Sequence, residues 1–178
     1  MIQEQITAQP VITAERFVLR PLRRSDAGLI GMYAAEKRVA EMTSDIPHPL
    51  PPGAVDQLIA KAAEPDRVED LWAIDGSAKG HAEVMGLIGL TAMDRQQDEI
   101  GYWVAPAFWN SGIATEAVQA ILAANPHGAK QIYAEVFQDN PGSARVLTNS
   151  GFAYLGDAEA FSVARNATVK TWTYALNM

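Results

Sequence analysis

Residues 100–117, reading IGYWVAPAFWNSGIATEA, constrain the fold more than any other stretch of the chain. Ile100, Tyr102 and Val104 alternate with Gly101 and Trp103, the period of two that belongs to a strand. Pro106 has no N–H to give to a ladder and ends the pairing. A short turn over Phe108–Gly112 follows. A helix is predicted from about Ser111 to Ala124, with Ala114, Ala117, Val118, Ile121 and Leu122 on one face. The unit is strand, glycine turn, helix N-terminus.

Such a unit has a physical use. The first turn of a helix carries N–H groups without internal partners, and its dipole adds about half a positive charge. Gly112 lets a ligand approach the backbone, and the small Ala114 and Thr115 keep the approach open. The natural guest is an anion, above all a phosphate. No lysine follows the glycine, so this is not the nucleoside-triphosphate loop, and the three glycines of the dinucleotide fingerprint are missing. Taken alone, the turn reads equally well as a plain connection.

A second unit lies downstream. Asn140 is placed to cap a helix, Pro141 to occupy its first position, and Gly151 to stop it after about Ser150. Gly101-Tyr102-Trp103-Val104, Pro106 and Trp109-Asn110-Ser111-Gly112-Ile113-Ala114-Thr115-Glu116-Ala117 resemble the pyrophosphate-binding core of the GNAT superfamily of acyl-CoA-dependent N-acyltransferases. The family's usual signature is Gln/Arg-x-x-Gly-x-Gly/Ala; here Trp109 stands at the Gln/Arg position, with Gly112 and Ala114 in place. The aromatic variant resembles the branch that includes the ribosomal-protein N-terminal acetyltransferases. Asp139-Asn140-Pro141, Ser143, Arg145-Val146-Leu147 and Gly151-Phe152 match a second family motif, in family order. The resemblance runs from about Ile12 to Leu176.

The rest of the chain agrees with an α/β to α+β domain. A strand is predicted around Phe17–Leu22 and a helix after Ser25-Asp26. The proline-rich loop Met42–Pro52 precedes a helix over Gly53–Ala63. Short strands follow at Leu71–Ile74 and Val84–Thr91, the latter with Gly86 and Gly89 marking a bulge or a close backbone approach. Beyond the central helix come a strand at Gln131–Val136, the Asn140-capped helix, and two last strands near Phe152–Leu155 and Thr171–Leu176, with residues 156–170 connecting them. The resemblance implies a GNAT-like mixed, mostly antiparallel twisted sheet of six to seven strands, with a central splayed parallel pair and about four helices. Residues 1–11 are expected to be a loose polar lead-in and 12–178 a single domain.

Composition removes whole classes of function. There is no cysteine, so disulfides, thiolate metal sites and cysteine nucleophiles are excluded. His48, His81 and His127 have no ligand spacing, and no metal is expected. The net charge of −7 disfavours nucleic acid and suits a cationic substrate. No run of ~18 apolar residues and no signal-peptide order is present, so the expected setting is cytoplasmic, away from membrane, as a monomer or homodimer.

The resemblance also implies a chemistry, with acetyl-CoA as co-substrate. The amides of Asn110, Ser111, Gly112, Ile113, Ala114 and Thr115 would hold its diphosphate, with Trp109 at the cofactor site in place of the family's Gln/Arg, and backbone groups around Trp103, Val104 and Ala105 would pair with its pantetheine amides. Val104 N–H would face the thioester oxygen. Many family members carry a tyrosine four residues after the Ser143 position; Leu147 stands there and cannot donate a proton, which leaves Ser143 as the acid for the departing sulfur or as a simple helix cap. Asn140 is read as both cap and cofactor contact. Asp98, Glu99 and Glu135 compete as the base, with Glu99 preferred. The acceptor is read as a primary amine, on a peptide or protein N-terminus or a small molecule. A non-catalytic acyl-CoA-binding sensor or interaction module is the alternative.

Overall fold

β5 (Gln97–Val104), the central strand, has neighbours that treat it differently along its length. On one side β4 (Gly86–Met93) follows it antiparallel over its full length, from Gly86 opposite Val104 to Met93 opposite Gln97. On the other side β6 (Gln131–Phe137) runs parallel and pairs through only Gln97, Asp98 and Glu99. Beyond Glu99 the two strands part. Two observations explain why β5 stays with β4. A Cβ on Gly86 would run into the Trp103 carbonyl, so glycine permits the close approach the sequence suggested. Ala105 then gives its N–H to Met85 O at 2.8 Å, extending the attachment past the strand end. β6 is held as firmly on its far side by β8 (Ala167–Asn177), paired from Gln131–Asn177 to Phe137–Thr171.

These strands belong to one eight-stranded sheet in a computed structural model that describes residues 9–178. Before the centre come β1 (Ile12–Thr13), β2 (Val18–Pro21) and β3 (Glu69–Asp75); β7 (Ala153–Ser162) closes the far edge beyond β8. The helices are α1 (Ala27–Ala34), α2 (Lys37–Ala40), α3 (Ala54–Ala62), α4 (Ile113–Ala124) and α5 (Pro141–Asn149). All pairings apart from β5–β6 are antiparallel.

The sheet exceeds the six to seven strands expected, and the helices the four. β1 has two residues and α2 a single turn, too short for any period to show. The closing hairpin is also longer than expected, because most of residues 156–170 extends it. β7 is an edge strand exposed along most of its length, so no apolar alternation marks it. Of the expected loose lead-in, residues 1–8 lie outside the described residues. Gln9 donates to Leu71 O at 2.8 Å, and the Trp72 indole donates to Pro10 O at 2.8 Å.

Apolar side chains cover both faces of the sheet. Trp72, Ile88 and Ile100 pack with Ile113, Val118 and Ile121 of α4 and Leu147 of α5. Leu71, Ala73 and Leu87 meet Ile30 of α1 and Ile59 of α3 on the other face. β3 is therefore buried on both sides, which is why it reads as an apolar run rather than an alternation.

Two buried ion clusters tie strands to loops. Arg20 on β2 bonds Asp75 at 2.7 Å and Asp26 at 2.8 and 2.9 Å. Asp26 thus turns to Arg20 and the Arg23 N–H instead of capping α1. His127, in the breaker after α4, sits between Asp70 on β3 and Asp98 on β5. Its Nε2 is 2.9 Å from Asp70, and its Nδ1 stands 3.1 Å from Asp98, an ion contact without hydrogen-bond alignment. Burial alone would lower the His127 pKa, but the two carboxylates outweigh it and lift it to about 9.

A group whose folded pKa lies above its unfolded value stabilises the fold fully below the unfolded pKa and loses that contribution as pH rises through the folded one. For His127 the window runs from 6.5 to about 9, and the shift amounts to roughly 3 kcal/mol. The gap in Tm between wild type and His127→Gln is therefore expected to be widest in mild acid and to close above the upper end of that window. A gap that stays constant across the window counts against the charged cluster.

Candidate functional site

The turn after β5 is built by residues that tolerate a left-handed backbone. Asn110 has φ 57° and Gly112 φ 79°, and α4 starts at the next residue. The result is a row of amides with nothing to bond. Trp109 N–H reaches Pro106 O and Glu116 N–H reaches Gly112 O, but among the described residues no acceptor meets the N–H groups of residues 111–115. The turn is braced from outside. Trp109 folds back and donates its indole N–H to Val104 O at 2.6 Å, and Ser111 Oγ donates to Phe108 O. Arg16, close behind β1, donates to Ser111 O at 2.8 Å and pairs with Glu116 at 3.2 Å. A Cβ at Gly112 would lie 3.3 Å from the Arg16 guanidinium. The cation therefore stands beside the open amides. Sequence reasoning missed Arg16 because ninety-five residues separate it from Ser111.

The amides face a cavity of about 340 Å³ between the end of β5, the turn and the start of α5. Trp103, Val104, Trp109, Asn110, Ser111, Gly112, Ile113, Ala114, Thr115, Asn140 and Ser143 all line it. Ala105 does not; it is fully buried and its N–H belongs to Met85 O. Backbone groups alternate sides along a strand, so with Ala105 turned toward β4 those of Tyr102 and Val104 turn toward the gap. Val104 O is taken by Trp109, which leaves Val104 N–H on that edge beside the backbone groups of Tyr102. Arg145 also lines the cavity and makes no ion pair among the described residues. It lay inside a quoted motif, but a lone arginine on a helix gives no sign of its direction.

At the head of α5 the Asn140 side chain does two things. Its Oδ1 accepts the Ser143 N–H at 3.4 Å, and its Nδ2 donates to Ser143 Oγ at 3.0 Å. The hydroxyl is thus an acceptor from Asn140 and keeps its own proton to give. Leu147 is buried in the core, away from any such role. Tyr102 spans the gap and donates its hydroxyl to Ser143 O at 2.9 Å, joining β5 to α5; burial pushes its phenol well above the ordinary tyrosine range.

A second cavity, of about 580 Å³, opens on the other side of Tyr102 and Trp103, and the two share only these residues and Met42. Its walls are β3, β4 and β5, the ends of α1 and α3, the 42–50 loop, and parts of β6, β7 and β8. The loop is pinned by the hairpin tip between β7 and β8. Arg165 bonds Glu41 O at 2.7 Å and Asp139 at 2.5 Å, and Val163 N–H reaches Ser44 O at 3.0 Å. Glu99 and Glu135 line this cavity, whereas Asp98, one residue from Glu99, points to the opposite face and His127. Burial, then the charges of Glu135, Asp45 and Glu69, hold the Glu99 carboxyl above its usual range. His48 is exposed and lines neither cavity. Among the described residues no three His, Cys, Asp or Glu side chains are grouped to hold a metal ion, and no helix is long and apolar enough to cross a membrane.

Comparison with known proteins adds the lineage. The family model described as Acetyltransferase (GNAT) domain matches residues 16–153. The uncharacterized N-acetyltransferase YoaA of Bacillus subtilis is 28% identical over 109 residues, which is 59% of this chain and 60% of YoaA. The uncharacterized N-acetyltransferase p20 of Bacillus licheniformis is 24% identical over 173 residues, 91% of this chain and 93% of p20. Among solved structures, Mycobacterium smegmatis RimJ in complex with CoA-disulfide superposes with a TM-score of 0.79 at 20% identity, covering 94% of this chain and 87% of RimJ. At that identity the superposition speaks for the fold alone.

Proposed function

The chain belongs to the GNAT acetyltransferase family, and on that premise we propose that residues 12–178 form a single transferase domain that moves an acetyl group from acetyl-CoA to a primary amine by direct attack. The observation that carries this reading is the row of unpartnered amides at residues 111–115, facing a cavity that leads to Tyr102 and Trp103. Those amides and Arg16 suit a diphosphate, with Arg145 as a further cation on the same cavity. The CoA-disulfide held by RimJ supports the choice of co-substrate. When bound, acetyl-CoA supplies the activated acetyl thioester.

The chain's own groups divide the work. Val104 N–H faces the gap and is placed to hold the thioester oxygen. Glu99, on the acceptor side, takes the proton the amine must lose, directly or through water; its raised pKa makes it a better base than an ordinary carboxylate. A new C–N bond forms as the C–S bond breaks. Ser143, on the cofactor side, gives its proton to the departing sulfur and takes one back from solvent water, while the proton on Glu99 returns to solvent. Asn140 holds that hydroxyl as an acceptor, so the serine proton points away from the amide that fixes it. Base and acid thus lie in different cavities, on either side of the Tyr102–Trp103 neck.

Two substitutions test the halves of this reading. CoA at about 100 times its Kd should raise the wild-type Tm by roughly 5–10 °C, and Gly112→Glu should abolish the shift by putting bulk and negative charge among the amides. A shift that survives in Gly112→Glu removes the turn from the site. Ser143→Ala should lower kcat by roughly 10²-fold with KM for acetyl-CoA little changed. Unchanged turnover removes Ser143 from the mechanism, and CoA binding without thiol release from any amine would favour a non-catalytic module.

A further inference from the structure

Resting on the acetyl-transfer reading, we infer that the acceptor is a small linear polyamine, an aliphatic chain carrying two or more ammonium groups, rather than a protein N-terminus. The 580 Å³ cavity is lined by four carboxylates, Asp45, Glu69, Glu99 and Glu135, and by no lysine, arginine or histidine. Elsewhere this chain pairs the acids it buries: Asp26 and Asp75 with Arg20, and Asp70 with Arg67 and His127. The four cavity carboxylates have no ion-pair partner among the described residues. Glu69 accepts only the Thr91 hydroxyl and Asp45 only that of Ser44. Lys61 is near enough for Glu69 to feel its charge, yet it does not line the cavity. Unlike those buried acids, all four are exposed to solvent, so together they form an acidic wall open to a cation from outside.

The spacing argues for more than one cation. Glu69, Thr91 and Glu99 stand side by side across β3, β4 and β5. Two strand spacings put the two glutamates about 10 Å apart. Glu135 lies across the gap on β6. One ammonium group cannot neutralise all of these. Between the acids the wall is apolar, with Ile30, Leu58, Leu71 and Leu87, which suits methylenes rather than peptide groups that need hydrogen bonds. A second, independent mark of a missing ligand is Thr171 on β8. It is 1% exposed, it lines this cavity, and its hydroxyl has no hydrogen-bond partner. An ammonium N–H would supply one.

The test uses the full chain with acetyl-CoA, following thiol release with a homologous series of α,ω-diaminoalkanes, n-alkylmonoamines of matched length, and short peptides with free N-termini. Diamines should exceed matched monoamines in kcat/KM by at least about tenfold, with the advantage shrinking as salt rises. Glu69→Gln and Glu135→Gln should each cut the diamine-to-monoamine ratio by about tenfold while CoA still raises Tm, which shows that the variants fold. Monoamines or peptides used as well as or better than diamines would overturn this inference and leave acetyl transfer standing. No release with any amine, peptides included, would overturn both. A ratio unaltered in both glutamate variants would also overturn it.

Discussion

The structure turns on one divided allegiance. β5 is bonded to β4 to its last residue, and β6 to β8 to its last, so where sheet twist draws the halves apart the pair between them gives way. The gap costs backbone pairing, because Tyr102 and Val104 face it without a neighbouring strand. Trp109 meets the Val104 carbonyl and Tyr102 crosses to Ser143 O, so the opening is propped by two aromatic side chains rather than filled by them. Both cavities exist because this pairing stops after three residues. The two meet at Met42, Tyr102 and Trp103.

The turn side of the gap was largely legible in the sequence. Its elements are local: a strand, a proline, a glycine that must take positive φ, and a helix start lie within eighteen residues, and each signals itself through backbone chemistry. Asn140 and Pro141 announce the second helix in the same way. What stayed hidden is long-range. Arg16 braces a turn ninety-five residues away, and His127 reads as a solvated breaker until Asp70 and Asp98 arrive from two strands. Asp98 and Glu99 look interchangeable on paper; the pleat sends one into an ion cluster and the other into the 580 Å³ cavity. The edge strand β7 was seen only at its start, near Phe152–Leu155, because exposure on both faces erases the alternation that sequence reading needs.

Trp109 shows how a departure from the usual signature is accommodated. A Gln or Arg at that position would offer a polar side chain to the ligand. The indole instead bonds back to the strand it follows and carries Arg38 over its ring at 5.4 Å. The cation that the signature position lacks is thus present one layer out, and Arg16 stands on the other flank of the same turn. The turn amides need no particular side chain at residue 109 so long as the backbone is held, and the indole holds it.

The charges around the two cavities are sorted by that neck. Arg16, Arg38 and Arg145 lie by the turn and its cavity, while Asp45, Glu69, Glu99 and Glu135 line the other side. A net charge of −7 therefore conceals a polarity that suits a polyanionic thioester on one side and a cation on the other. The arrangement carries a tension, because a carboxylate cluster that attracts ammonium groups also stabilises their protonated form and so opposes the deprotonation that attack requires. The inferred substrate with several amines would resolve it. Its distal ammonium groups would stay charged among the acids, and the reacting nitrogen would sit at the edge of the cluster, where Glu99 is the nearest acid along β5 to Trp103 and is itself made more basic by burial and its neighbours. Binding and deprotonation would then fall to different nitrogens of one molecule, and the same field that would hold its chain in place raises the proton affinity of Glu99, the group proposed as base.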